Sequence, residues 1–255
     1  MNNTIKKAGN ATPQKTKVKP EKEKRYAKIV FWIVFLSFAI SVVYLIFRFF
    51  TLEPGINTAE DGRMRSDYML MVLQCLVGMS IINLPGFLNR RFKLDIPTAL
   101  QVFFMIFLFC AIYLGEVRSF YYHVPHWDDI LHGSSAVMTG LLGFMLIVLL
   151  NKSHKAKLHL SPLFMALFAF CFAVTVGAMW EIYEFTLDVT LGMNMQKVML
   201  KNGELLSGHR AVADTMKDII VDTCGALVTS VVGYFSVKHR KGWVHRYIRG
   251  KNKNT

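Results

Sequence analysis

Cysteine is scarce and dispersed in this chain of 255 residues. Cys75, Cys110, Cys171 and Cys224 stand singly in four different apolar stretches, which excludes a disulfide framework and leaves them as lipid-facing or packing residues. Acidic side chains are also few, with 17 Asp and Glu against 30 Lys and Arg and a formal net charge of +13. No internal repeat is visible, and no inverted pair of broken helices of the kind that marks many transporters. No Ser or Cys nucleophile stands beside a base. The Glu-x-x-His spacing of di-iron helical bundles is missing. A cleavable signal peptide is missing too, because the first apolar run, at about 24 residues, exceeds a normal signal core and no A-x-A site follows it.

Apolar sequence is what the chain has in abundance, at 53% hydrophobic residues. A spanning helix needs roughly 20 mostly apolar residues. Six runs meet that length, over about 27–50, 68–88, 97–114, 130–150, 162–187 and 214–237. The expected fold is therefore all-α, a polytopic membrane bundle of six transmembrane helices. A basic tail (1–26) lacks the large apolar side chains needed to bury a core, so disorder is expected there. A second basic tail covers 238–255.

The charges give the bundle a direction. With a cytoplasmic N-terminus, the inside segments are the first tail, 89–96, 151–161 and the last tail. They hold most of the Lys and Arg but only Glu21, Glu23 and Asp95 among the acids. That bias predicts N-in and C-in in a bacterial cytoplasmic membrane. Lysines just before a spanning helix fit anionic lipid headgroups, so the expected partners are membrane lipids at the basic tails and no nucleic acid. The sequence is compatible with a homo-oligomer. The longest loop, 188–213, contains the turn-like stretch QKVMLKNGELL (196–206), suited to a small hairpin over the outer mouth or to a tether.

The remaining acids gather at the predicted outer ends of three helices. Asp128 and His132 are four apart. Glu181, Glu184 and Asp188 follow a three-then-four step, and Asp214, Asp218 and Asp222 step by four, so each set forms a stripe on one helix face. Glu116 ends the third helix and can join them. Asp128, Asp129 and Asp214 also suit helix N-caps, and a lone His132 suits simple packing. Asp222 and Glu181 are different, because they lie too far along their helices for the interface to solvate them. Ionisable residues at such depth face a bundle interior and mark a functional path.

So many carboxylates in a low-dielectric space require compensation by metal, protons or the basic side chains Lys217, Arg210 and Arg118. The candidate metal ligands are Glu116, Asp128, His132, Glu181, Glu184, Asp214 and Asp218. Glu181, Asp218 and Asp222 are the candidate catalytic residues, with Arg210 and Arg118 holding substrate. Oxygen donors with one imidazole suit Mg, Mn or Ca and admit Zn or Fe, so the cofactor stays unidentified beyond a divalent metal.

The order Gly115-Glu116, Phe120-Tyr121, Pro125-His126-Trp127-Asp128, His132, Trp180-Glu181, Glu184 and Asp214-Thr215-Met216-Lys217-Asp218 with Gly225 resembles the YjdF-like family of bacterial inner-membrane proteins, over roughly residues 65–237. That resemblance implies fold and location and names no substrate. A looser similarity of layout, Asp128 to His132, Glu181 to Glu184 and Asp218 to Gly225, connects the chain to VanZ-like proteins, which implies by analogy an envelope or lipid-linked substrate. Three functions follow from the cluster: metal-dependent action on such a substrate, a proton or cation relay in a small transporter, or a non-catalytic scaffold.

Overall fold

A computed structural model describes residues 19–51, 65–92, 94, 96–151, 160–200, 204–239 and 242. Its helices are α1 (Lys19–Thr51), α2 (Arg65–Ile81), α3 (Leu84–Phe92), α4 (Thr98–Leu108) with a π-helical continuation Phe109–Val117, α5 (Phe120–His123), α6 (Trp127–Asn151), α7 (Pro162–Leu191) and α8 (His209–Lys238). Six stretches are long and apolar enough to cross a membrane: Glu21–Thr51, Asp67–Phe92, Thr98–Val117, Trp127–Asn151, Pro162–Leu191 and His209–Lys238. The all-α, six-span architecture expected from the sequence is the one observed. Among the described residues the extended backbone amounts to one bridge, Met199 with Leu205.

Several helix ends differ from the apolar runs, and each difference has a local cause. Residues 19–26, expected to be disordered, continue α1 as helix. A helix already nucleated by its apolar part extends at little cost, and Glu21 with Arg25 has the favourable four-residue spacing. Residues 1–18, 240–241 and 243–255 of the two tails lie outside the described residues. The second span is broken at residues 82–83, since Pro85 in the first turn of α3 has no N–H to continue the ladder from α2. At α7, the Ser161 hydroxyl accepts from Phe164 N at 3.2 Å and Pro162 occupies the first turn, while Gly192 ends the helix at φ 64°. The last helix begins at His209 after Gly208, so Asp214 lies in its second turn and is no N-cap.

The helices sort into two groups of three. In one, α1, α2 and α4 enclose Phe38, Leu45, Tyr68, Cys75 and Met105. In the other, α6, α7 and α8 each pack on both neighbours, around Phe144, Ile147, Met165 and Ala169. Leu94 and Ile96 meet Met145 of α6 where the groups join. The outward faces carry bulky apolar side chains, among them Ile40, Val43, Leu163 and Ile182, as a lipid-facing surface requires.

Close approach within α6, α7 and α8 depends on small residues, since lipid offers no hydrophobic drive for helix association. A Cβ on Gly233 would lie 2.1 Å from Cζ of the fully buried Phe144 ring. Gly233→Ala is expected to destabilise the chain by about 1–3 kcal/mol through overpacking. Thermal unfolding in detergent checks this as a lowered midpoint.

Candidate functional site

The N-terminal end of α6, the C-terminal end of α7 and the N-terminal half of α8 meet at one end of the bundle. There the interior of this three-helix group changes from apolar to ionisable. His132 is at its centre, with a side chain 7% exposed. Its Nδ1 is 3.2 Å from Asp222 Oδ2 on α8. Its Nε2 is 3.8 Å from Asp128 Oδ1, one turn back on α6, and 3.6 Å from Glu181 Oε1 on α7. Asp128, His132 and Asp218 each offer one donor atom within 4.8 Å of the others, and among the described residues they are the one such set of three.

The two imidazole nitrogens therefore have different surroundings. A proton on Nδ1 is donated to Asp222, which leaves the Nε2 lone pair facing Asp128 and Glu181. Carboxylate-oriented histidines of this kind ligate metals, because the second-shell bond fixes both tautomer and ring angle. Room for Asp222 is made by Gly177 of α7, where a Cβ would lie 2.3 Å from Asp222 Oδ2. Glu181, Asp218 and Asp222 are at most 4% exposed. Glu181 Oε1, Asp218 Oδ1 and Asp222 Oδ1 are buried without a hydrogen-bond partner. Such atoms are costly to bury unless a cation or a proton joins them.

The other expected site residues are distributed around this centre. Asp214 lines a neighbouring cavity together with Asp128. Glu184 is half-buried, and its charge helps to raise the pKa of Tyr121 after burial itself and the carboxylates of Glu116 and Asp128. Asp188 is near the end of α7 and turned to the following loop, where its two oxygens accept from Met195 N at 2.6 Å and Gln196 N at 3.0 Å. Arg118 follows the π-helical turn and Arg210 is the second residue of α8. Both are exposed, and neither forms an ion pair among the described residues.

Among the described residues, two lysines bring ammonium groups to the site. Lys217 Nζ is 2.6 Å from Asp129 Oδ1. Lys197 Nζ is 2.7 Å from Glu116 Oε1, donates to Asn194 O at 3.2 Å, and is 5.0 and 5.9 Å from the ring centroids of Tyr121 and Tyr122. Burial disfavours its charge, but the Glu116 carboxylate together with Tyr122 and Glu184 outweighs that, and the pKa of Lys197 rises above its ordinary 10.5. Its backbone adopts φ 54°, a left-handed conformation that a lysine takes only at some cost. Glu116 thus engages Lys197, with Gln74 Nε2 3.3 Å from the same oxygen.

Lys197 is the site residue that sequence reasoning missed. It lies in the stretch 196–206 read as a hairpin or a tether, but nothing in the local pattern distinguishes Lys197 from Lys201. The hairpin form is present, with Leu200 N donating to Glu204 O at 2.9 Å and Leu206 N to Val198 O at 2.8 Å. Residues 201–203 at its tip lie outside the described residues. Asn194 ties the hairpin base by donating to Tyr122 Oη at 3.1 Å and Met199 O at 2.8 Å.

Beside the acidic centre is a cavity of about 270 Å³, lined by Tyr121, Tyr122, Trp127, Asp128, Lys197 and Lys217 among others. Asp128 is shared between the cavity and the three-donor set.

The model of a family described as "Predicted membrane protein (DUF2238)" matches residues 55–239. No curated protein and no solved structure matches.

Proposed function

The chain belongs to the DUF2238 family of predicted membrane proteins, the family that the YjdF-like resemblance named, and we propose that it is a divalent-metal-dependent membrane enzyme acting on an envelope or lipid-linked substrate. The observation that carries this reading is the oriented imidazole: His132 Nε2 facing Asp128 and Glu181, with Nδ1 held by Asp222 and Asp218 completing the donor set. The distribution of Lys and Arg supports N-in and C-in in a bacterial cytoplasmic membrane, which puts the site at the outer leaflet.

Asp128, His132 and Asp218 hold the ion in this reading. A bound divalent ion lowers the pKa of a coordinated water and neutralises charge on an anionic substrate. Glu181, with a buried oxygen 3.6 Å from His132, would serve as the general base beside such an ion. Asp222 acts through His132, as a positioning residue. The cavity admits the substrate beside Asp128. Envelope substrates remain the class suggested by the VanZ-like layout and the outward-facing site.

Metal content of freshly purified protein in detergent tests the reading. Wild type is expected to carry stoichiometric divalent metal, Asp218→Ala to lose much or all of it, and Glu181→Ala to keep most of it. Stoichiometric metal that survives Asp218→Ala sinks this ligand set. A metal-free wild type favours the second reading, a proton or cation relay in a small transporter, for which the buried unpartnered oxygens of Glu181, Asp218 and Asp222 are the supporting observation.

A further inference from the structure

We infer that the cavity beside Asp128 is a seat for a phosphate group, gripped by Lys197 and Lys217 and occupied only when the metal is present. The inference rests on the metal reading above and adds the chemical class of the ligand. An ammonium has three N–H donors. Lys197 directs two of them to Glu116 and Asn194, and Lys217 directs one to Asp129, so donors remain on both where their side chains line the cavity. The partner carboxylates fix each ammonium in place, which lowers the entropy lost when an anion is bound.

The two lysines come from different elements, Lys197 from the hairpin and Lys217 from α8. A tetrahedral anion with several acceptor oxygens can use both, whereas a carboxylate is better served by one planar bidentate partner. Tyr121, Tyr122 and Trp127 supply the rest of the wall, and the volume leaves room beyond the phosphate for a few atoms of the group it esterifies. His123 and His126 also line the cavity.

Asp128 and Asp214 line the same cavity and repel an anion. That repulsion makes the metal necessary. An ion held by Asp128, His132 and Asp218 would neutralise the charge of Asp128 and supply a positive charge beside the cavity. Without it the anion meets the carboxylates of both Asp128 and Asp214. Binding of metal and of phosphate is then mutually dependent, each tightening the other by the same factor.

Detergent-purified chain loaded with Mn²⁺ provides the test, because bound manganese broadens the ³¹P resonance of a phosphate held beside it. Inorganic phosphate is one probe. Vesicles of phosphatidylcholine containing phosphatidic acid are the second, with phosphatidylcholine alone as control. Broadening by protein-bound manganese is expected with at least one phosphate probe, and the tighter of the two assigns the source as soluble phosphate or lipid headgroup. Lys217→Met is expected to weaken that binding by roughly tenfold or more, the loss of a charge-assisted hydrogen bond, with manganese content unchanged. Lys197→Met is expected to do the same where it folds, and Arg210→Ala to have no effect.

Manganese bound without phosphate binding overturns this inference alone. So does phosphate binding that Lys217→Met leaves untouched, or binding that is equally tight in metal-free protein. Absence of bound manganese overturns the metal reading and this inference with it.

Discussion

His132→Gln protein is expected to fold and to reach the membrane, yet to be purified with only trace divalent metal. Glutamine keeps most of the volume of the imidazole, and its amide can still donate to Asp222, so the packing of α6 against α8 survives. What it lacks is an Nε2 lone pair held toward Asp128 and Glu181, 3.8 and 3.6 Å away. Asp222→Asn makes the contrasting case. Asparagine can accept from Nδ1 but without charge, so the ring is held less firmly and its basicity falls. Removing a second-shell partner of this kind lowers metal affinity by about 10–100-fold without abolishing it. Titration with metal after chelation separates the two roles. His132→Gln protein that binds like wild type would falsify the proposed centre. Asp222→Asn protein as metal-free as His132→Gln would move Asp222 into the ligand set.

The parts of this centre that were legible in the sequence are those fixed by helix periodicity. A four-residue step puts Asp128 and His132 on one face of α6, and two such steps place Asp214, Asp218 and Asp222 along α8, wherever the helices end. Six apolar runs gave six spans for the same reason: length and composition decide whether a segment can cross a bilayer, and neither depends on its neighbours. Periodicity fails where the helix itself is irregular. Glu116 lies in the π-helical turn Phe109–Val117, whose wider turn rotates the following residues away from the face a regular helix would give them. The sequence grouped Glu116 with the acids by its place at the end of the third helix, whereas it faces Lys197.

Asp188 illustrates a different limit. It continues the Glu181 and Glu184 stripe by spacing, but α7 ends three residues later at Leu191, and the returning loop offers two backbone N–H groups to its carboxylate. A loop that folds back on its own helix is invisible to a pattern read along the chain. Arg118 and Arg210 were natural counter-charges because arginine suits phosphate and carboxylate. Both lie at element ends where the long side chain reaches solvent, and the two lysines came closer because each has a carboxylate partner fixing it.

Lys197→Met is expected to produce the largest loss of stability, about 3–5 kcal/mol, because it removes the ammonium 2.7 Å from the buried Glu116 carboxylate. The two partners are 16% and 10% exposed, so water compensates little. Gln74 remains as a donor at 3.3 Å and is a weaker partner than an ammonium. The double variant Lys197→Met with Glu116→Gln removes both charges, and a neutral buried pair costs far less, so it is expected to recover much of the lost stability. Thermal midpoints in detergent close that cycle. A double variant no more stable than Lys197→Met would mean that the lysine stem and its tyrosine contacts hold the hairpin, with the charge pair a minor contributor.

The pH dependence gives an independent check. The pKa of Lys197 is raised on folding, so the unfolded chain loses this proton first. The contribution of the pair is complete below the unfolded lysine value of about 10.4 and is lost as pH rises through the higher folded value. Wild type is therefore expected to lose stability relative to the double variant only above about pH 10.4. Below that pH the pair ties the hairpin between α7 and α8 to the π-turn of α4, and so joins the three-helix group that carries the acidic centre to the group that does not.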